Sequence, residues 1–97
     1  MSEYFLLCNF TDQGIRHIKD MPNRRAAARD LAKTLGVEIK SAFMALGTHD
    51  LIVHVEAASD DIIAKFVLAI ASKGNIRSQT VKVFSEAESD KIIGALG

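Results

Sequence analysis

The stretch Tyr4-Phe5-Leu6-Leu7-Cys8-Asn9-Phe10 decides the fold. It is a run of aromatic and aliphatic residues that stops at the polar pair Thr11-Asp12, and it reads as a buried strand. Side chains alternate between the two faces of a strand. Tyr4, Leu6, Cys8 and Phe10 therefore share one side, and Phe5 and Leu7 the other. Both sides are apolar, so the strand needs a layer packed on each.

Outward from this strand, the chain alternates between strand and helix patterns. Thr11 can cap a helix, and Asp12 suits the positive end of a helix dipole. A short helix carries Ile15 and Ile18 on one face. Pro22 interrupts it and suits the start of a second helix, because proline lacks the donor a helix interior needs. Ala28, Leu31, Ala32 and Leu35 form the apolar face of that helix, Arg25, Arg29 and Lys33 lie four apart on its outer face, and Gly36 is a natural C-cap. Val37–Leu46 reads as a strand, with Val37, Ile39 and Phe43 opposing Met44 and Leu46. It turns at Gly47-Thr48-His49-Asp50 and returns as Leu51–Glu56, making a hairpin. Ser59 is placed to cap a helix with Asp60 and Asp61 in its first turn. Ile62, Ile63, Phe66, Val67 and Ile70 are its buried face, and Gly74 ends it. Ile76–Phe84 is a fourth strand. Ser85 and Glu88 have the spacing of a capping box before a last helix with Ile92, Ile93 and Leu96.

The order β-α-β-β-α-β plus a terminal helix is the ferredoxin-like pattern of an α+β domain with a four-stranded antiparallel sheet. The 97 residues suffice for one domain, taken as 1–97. Hydrophobic residues make up 48% and charged residues 25%, the balance of a globular chain. Twelve basic residues offset twelve acidic ones, which argues against a dedicated nucleic-acid binder. Cys8 is the only cysteine, so no internal disulfide forms. No signal peptide and no run near the ~18 apolar residues of a membrane span is visible, and a cytoplasmic location is expected.

In this pattern the helices cover one face of the sheet, and the other should be polar in a monomer. Here it is not. Leaving such side chains in water forgoes roughly 1.5–3 kcal/mol each. A second copy of the chain is the expected cover. Two sheets packed face to face would enclose a cavity suited to a small apolar ligand.

The candidate chemistry is sparse. Asp50, Ile52, His54 and Glu56 alternate with Leu51, Val53 and Val55, so His54 and Glu56 are expected on the open face. His54 is the natural acid/base candidate there, with Asp50, Glu56 or Tyr4 beside it. Tyr4, His49 and Ile52 are the candidate ligand contacts. The bland reading, an inert interface histidine, is preferred, since no partner spacing supports catalysis. His49 and His54 fall on opposite faces of a strand, and no Cys/His pair has zinc spacing, so neither a metal nor a cofactor is expected. Cys8 reads as a small buried hydrophobe. Arg16, His17, Lys19, Arg24, Arg25, Arg29 and Lys33 make the first helical region basic. A solvated helix face is the ordinary reading of such a stripe, and phosphate or nucleic-acid binding the weaker one.

Three motifs in order, Thr11-Asp12-Gln13-Gly14-Ile15, Gly47…Asp50 and Gly74-Asn75-Ile76-Arg77, resemble those of the GYD domain family over nearly the whole chain. The resemblance implies a dimeric α+β barrel and carries over no catalytic residue. The family usually has tyrosine before the hairpin aspartate, where this chain has His49. Some dimeric barrels are cofactor-independent monooxygenases or haem enzymes, an analogy of fold alone. The expected function is a homo-oligomeric ligand-binding or assembly module. A small cofactor-independent enzyme acting on an apolar or aromatic metabolite is the alternative.

Overall fold

The N-terminal run forms β1 (Ser2–Phe10) at the heart of a four-stranded antiparallel sheet. The computed structural model describes all residues from Met1 to Gly97. After β1 come α1 (Asp12–Arg16), a 3-10 turn (Ile18–Asp20) and α2 (Met21–Leu35). Next are β2 (Glu38–Met44), β3 (Leu51–Ala57), α3 (Asp60–Ala71), β4 (Ile76–Val83) and α4 (Glu86–Gly94). The sheet order is β2-β3-β1-β4, which is the ferredoxin-like topology.

Local chemistry sets most boundaries. The Thr11 hydroxyl accepts the Gly14 N–H and starts α1. Pro22 sits in the first turn of α2, where its missing donor is harmless. Gly36 closes α2 in the left-handed region at φ 80°. Ser85 and Glu88 form a complete capping box on α4. Ser59 holds the N-cap position of α3, but its side chain makes no capping bond.

One side of β1 is buried under α2 and α3. Tyr4, Leu6 and Cys8 pack with Val55, Ala57, Ala32, Val37, Ile63 and Phe66. The β1–β3 register sets Tyr4 opposite Val55, Leu6 opposite Val53 and Cys8 opposite Leu51, so these pairs share the helix-covered face.

The side-chain alternation expected for β2 is corrected. A register shift between Ile39 and Ser41 leaves Lys40 as an extra residue. Such a bulge reverses the alternation beyond it. Ile39 lies opposite Val55 on the helix face, whereas Phe43 lies opposite Ile52 on the open one. Ile39 and Phe43 therefore do not share a side.

Candidate functional site

The face of the sheet that no helix covers carries Phe5 and Leu7 from β1, Ile52 and His54 from β3, Phe43 from β2 and Val81 from β4. These positions follow from the pairings Phe5↔His54, Leu7↔Ile52, Phe43↔Ile52 and Phe5↔Val81. The centre of the face is thus aromatic and aliphatic. An acidic row crosses one end of it, with Glu3 opposite Glu56 and Glu56 opposite Glu38.

Like charges directly opposite each other repel, and Lys40 relieves this row. Lys40 Nζ lies 3.7 Å from Glu56 and 3.5 Å from Glu38. His54 Nε2 lies 3.4 Å from Glu3 Oε1, an ion pair whenever the imidazole is protonated. The imidazole also stacks on Phe5, with centroids 4.7 Å apart and planes 8° from parallel. His54 is therefore held between a ring and a carboxylate.

The candidate residues separate into three places. His54, Glu56 and Ile52 share the open face. Asp50 does not join them: its Oδ2 accepts the Phe10 N–H at 2.9 Å, and its own N–H donates to the Cys8 carbonyl at 2.8 Å. It ties the β2–β3 hairpin to β1. His49 Nδ1 lies 2.9 Å from Asn9 Oδ1, and Asn9 Nδ2 donates to the Thr48 carbonyl, so His49 belongs to the same tie.

Tyr4 stands apart from His54, Glu56 and Ile52. It lies on the helix-covered face, 2% exposed, and its hydroxyl donates to Asp60 Oδ1 at 2.5 Å. Its pairing with Val55 requires this, because Val55 is a core residue. Burial, and then the bond to Asp60, push the phenol above its ordinary pKa, so it keeps its proton. The partner that the sequence reading missed is Glu3. Alternation alone places Glu3 with Phe5 and Leu7, but its approach to His54 depends on the β1–β3 register.

Cys8 is buried, and desolvation pushes its thiol up to about 11, which leaves it protonated and inert near neutral pH. No three His, Cys, Asp or Glu side chains converge to hold a metal ion. No helix is long and apolar enough to cross a membrane.

The first and third sequence motifs are bonded to each other. The Thr11 N–H donates to the Asn75 carbonyl at 3.1 Å, and the Thr11 hydroxyl to the Gly74 carbonyl at 2.5 Å. The Gln13 side-chain amide donates to Asn75 Oδ1 and to the Lys73 carbonyl. Together with the Asp50 tie, these bonds gather the end of β1, the hairpin and the α3–β4 turn at one end of the sheet. Every polar group named in this clasp is engaged within the chain, which is the mark of a structural joint.

A ferredoxin-like sheet with one helix-covered face and one bare apolar face defines a small α+β module. Solved structures share that fold. A feast or famine regulatory protein from M. tuberculosis, complexed with L-methionine, superposes with TM-score 0.67 at 18% identity over 94% of this chain. The alignment covers 55% of that structure's chain, so this chain spans about half its length. FFRP-DM1 aligns over its full length and 87% of this chain, with TM-score 0.60 and 22% identity. The GYD domain model matches residues 4–93, and the chain belongs to that family. A Thermus thermophilus relative, 26% identical over 91% of this chain and 94% of its own length, is a glutamine synthetase and cystathionine beta-lyase binding protein.

Proposed function

We propose that the protein is a non-catalytic assembly module that pairs with a second copy through its open sheet face and, as that assembly, holds a metabolic enzyme. The observation that carries this reading is the bare face itself, with Phe5, Leu7, Phe43, Ile52 and Val81 at its centre. Charged residues stand at the margin, as in an interface with an apolar core and a polar rim. The relative that binds glutamine synthetase and cystathionine beta-lyase is aligned over almost its whole length and supports an enzyme as the partner class. Facing sheets also leave an inter-sheet space for a small apolar ligand.

Native mass spectrometry at micromolar concentration tests the pairing, and titration against purified glutamine synthetase tests the partner. A dimer or higher oligomer that Leu7→Asp converts to monomer is expected. A wild-type monomer would overturn the reading.

The His54–Glu3 pair favours one second reading, an enzyme working on an apolar metabolite between the sheets. His54 would be the acid/base group there, with Glu3 and Glu56 as the neighbouring carboxylates. If His54→Ala and Glu3→Gln left full turnover of a substrate found by screening, that reading would fail.

A further inference from the structure

The helix-covered face of the sheet is packed unevenly. At the end where β1 begins, Tyr4, Val55 and Ala57 are at most 2% exposed. Toward the hairpin end, Leu51, Val53, Ile70 and Ile76 pack against the same core yet stay only half-buried. Protein interiors are close-packed, so half-covered core residues mark space that the chain does not fill. The cause lies in α2. Its large apolar residues, Leu31 and Leu35, stand in the C-terminal half, whereas the N-terminal half offers Met21, Arg25, Ala28 and Arg29 in their place.

Two spaces adjoin there. An inner cavity of about 90 Å³ is walled by nine hydrophobic residues, among them Leu6, Phe66 and Ile70, and Ser78 is its one polar contact. An outer cleft of about 270 Å³ opens between α2 and β2, and seven of its nine lining residues are hydrophobic. The other two are Arg25 and Arg29. Ile39, Leu51 and Val53 line both spaces, so one apolar wall runs from the surface cleft into the core. The two arginines are four apart on α2 and therefore neighbours on one helix face. Neither has a carboxylate within ion-pair distance in the protomer. Arg24, one position earlier, instead donates to the carbonyls of His17 and Gly14.

We propose that this cleft binds a small amphiphilic acid, with its apolar body along Ile39, Leu51 and Val53 toward the inner cavity and its single anionic group held by Arg25 and Arg29. Guanidinium forks pair with carboxylates through parallel charge-assisted bonds. A mostly apolar lining with a few convergent polar groups is the composition of small-molecule sites, and the two spaces together reach the lower end of their usual range of roughly 300–1,000 Å³. The same lining disfavours zwitterions such as free amino acids, because their ammonium group would meet either arginine or bare hydrocarbon. This site lies on the opposite face of the sheet from the pairing surface and is complete within one protomer. It stands independently of the assembly reading.

Octanoate and octanol titrated into the wild-type protein test the site, with methyl NMR to locate binding and calorimetry to measure it. Octanoate is expected to shift the Leu51, Val53 and Ile70 methyl signals and to bind about tenfold or more tightly than octanol, which fills the same walls without a charge. Arg25→Gln/Arg29→Gln should abolish that preference and leave octanol affinity unchanged. Ala42 is an exposed position in the outer cleft, and Ala42→Phe should weaken both probes by occupying their space. Leu7→Asp, which disrupts the sheet pairing, should leave octanoate affinity unchanged. Equal wild-type affinities for octanoate and octanol would overturn the assignment of an acid. Shifts confined to Leu7 and Ile52, or octanoate binding lost in Leu7→Asp, would put the ligand between paired sheets and overturn this site. The absence of any saturable shift with octanoate would overturn it as well.

Discussion

A methyl group on Gly14 would lie 2.1 Å from the carbonyl oxygen of Asn75. The backbone of α1 thus presses directly on the turn that leads into β4, and only a residue without a side chain fits. This contact lies at the centre of the clasp formed by Thr11, Gln13, Gly74 and Asn75.

Gly14→Ala must push the α3–β4 turn away, straining or breaking the Thr11 bonds to Gly74 and Asn75. Urea unfolding is expected to show a loss of about 3 kcal/mol, the upper range for inserting one carbon into a packed site. Gly94→Ala is the control. Nothing lies within 4 Å of a Cβ there, and alanine favours the helix by up to about 1 kcal/mol. Equal losses at both positions would show that the clasp carries no special strain.

Tyr4 and Asp60 join β1 to the first turn of α3 across the edge of the core. Tyr4→Phe keeps the packing and removes the donor, at a cost of about 1 kcal/mol, since the exposed carboxylate regains water. The pH dependence follows from the bond. The Tyr4 hydroxyl, and then Lys82 at 3.2 Å, hold the Asp60 carboxyl below its ordinary value of 3.8. Its contribution is complete above pH 3.8 and fades as the pH falls from there through the lower folded-state value. Thermal melts of wild type and Tyr4→Phe should therefore converge as the pH drops below 3.8. A constant gap throughout the acid range would separate Tyr4 from the Asp60 titration.

Cys8 sets the opposite limb. Burial raises its thiol from 9.0 to about 11, so the folded state favours the protonated form. That contribution is complete below pH 9 and is lost progressively as the pH rises toward about 11. Cys8→Ala should lower stability at neutral pH through lost packing, yet flatten the decline across that alkaline window. A thiol reagent at pH 7 should label native protein slowly and urea-unfolded protein fast. Rapid labelling of the native state would mean that this part of β1 opens readily.

The sequence carried much of the architecture because its signals are local. The double-sided grease of β1, proline in the first turn of α2, the αL glycine after it, and the Ser85–Glu88 box each act within a few residues. The β2 faces were misread because a bulge is a two-against-one pairing, invisible until both strands are laid side by side. The same limit hid Glu3, whose closeness to His54 depends on the β1–β3 register. It also left Tyr4 beside the wrong neighbours, although its identity as a core residue follows once Val55 is known to face the helices. The Thr11 and Asn75 motifs were visible, but the bonds between them span more than sixty positions of chain.

Leu6 and Leu7 are adjacent in sequence and face opposite sides of the sheet, so they make a paired test of the bare face. Leu6 is 5% exposed beneath α2 and α3. Leu6→Ala should cost about 2–5 kcal/mol, independent of protein concentration, because the cavity lies within one protomer. Leu7 has no covering layer in the protomer, and Leu7→Ala should cost much less at high dilution. In a self-paired assembly its penalty grows with concentration, since the buried contact exists only in the associated state and adds to stability by mass action. Melting both variants over a hundredfold concentration range distinguishes the cases. A Leu7→Ala penalty that stays flat across that range would mean that water, rather than another copy of the chain, meets this side of β1.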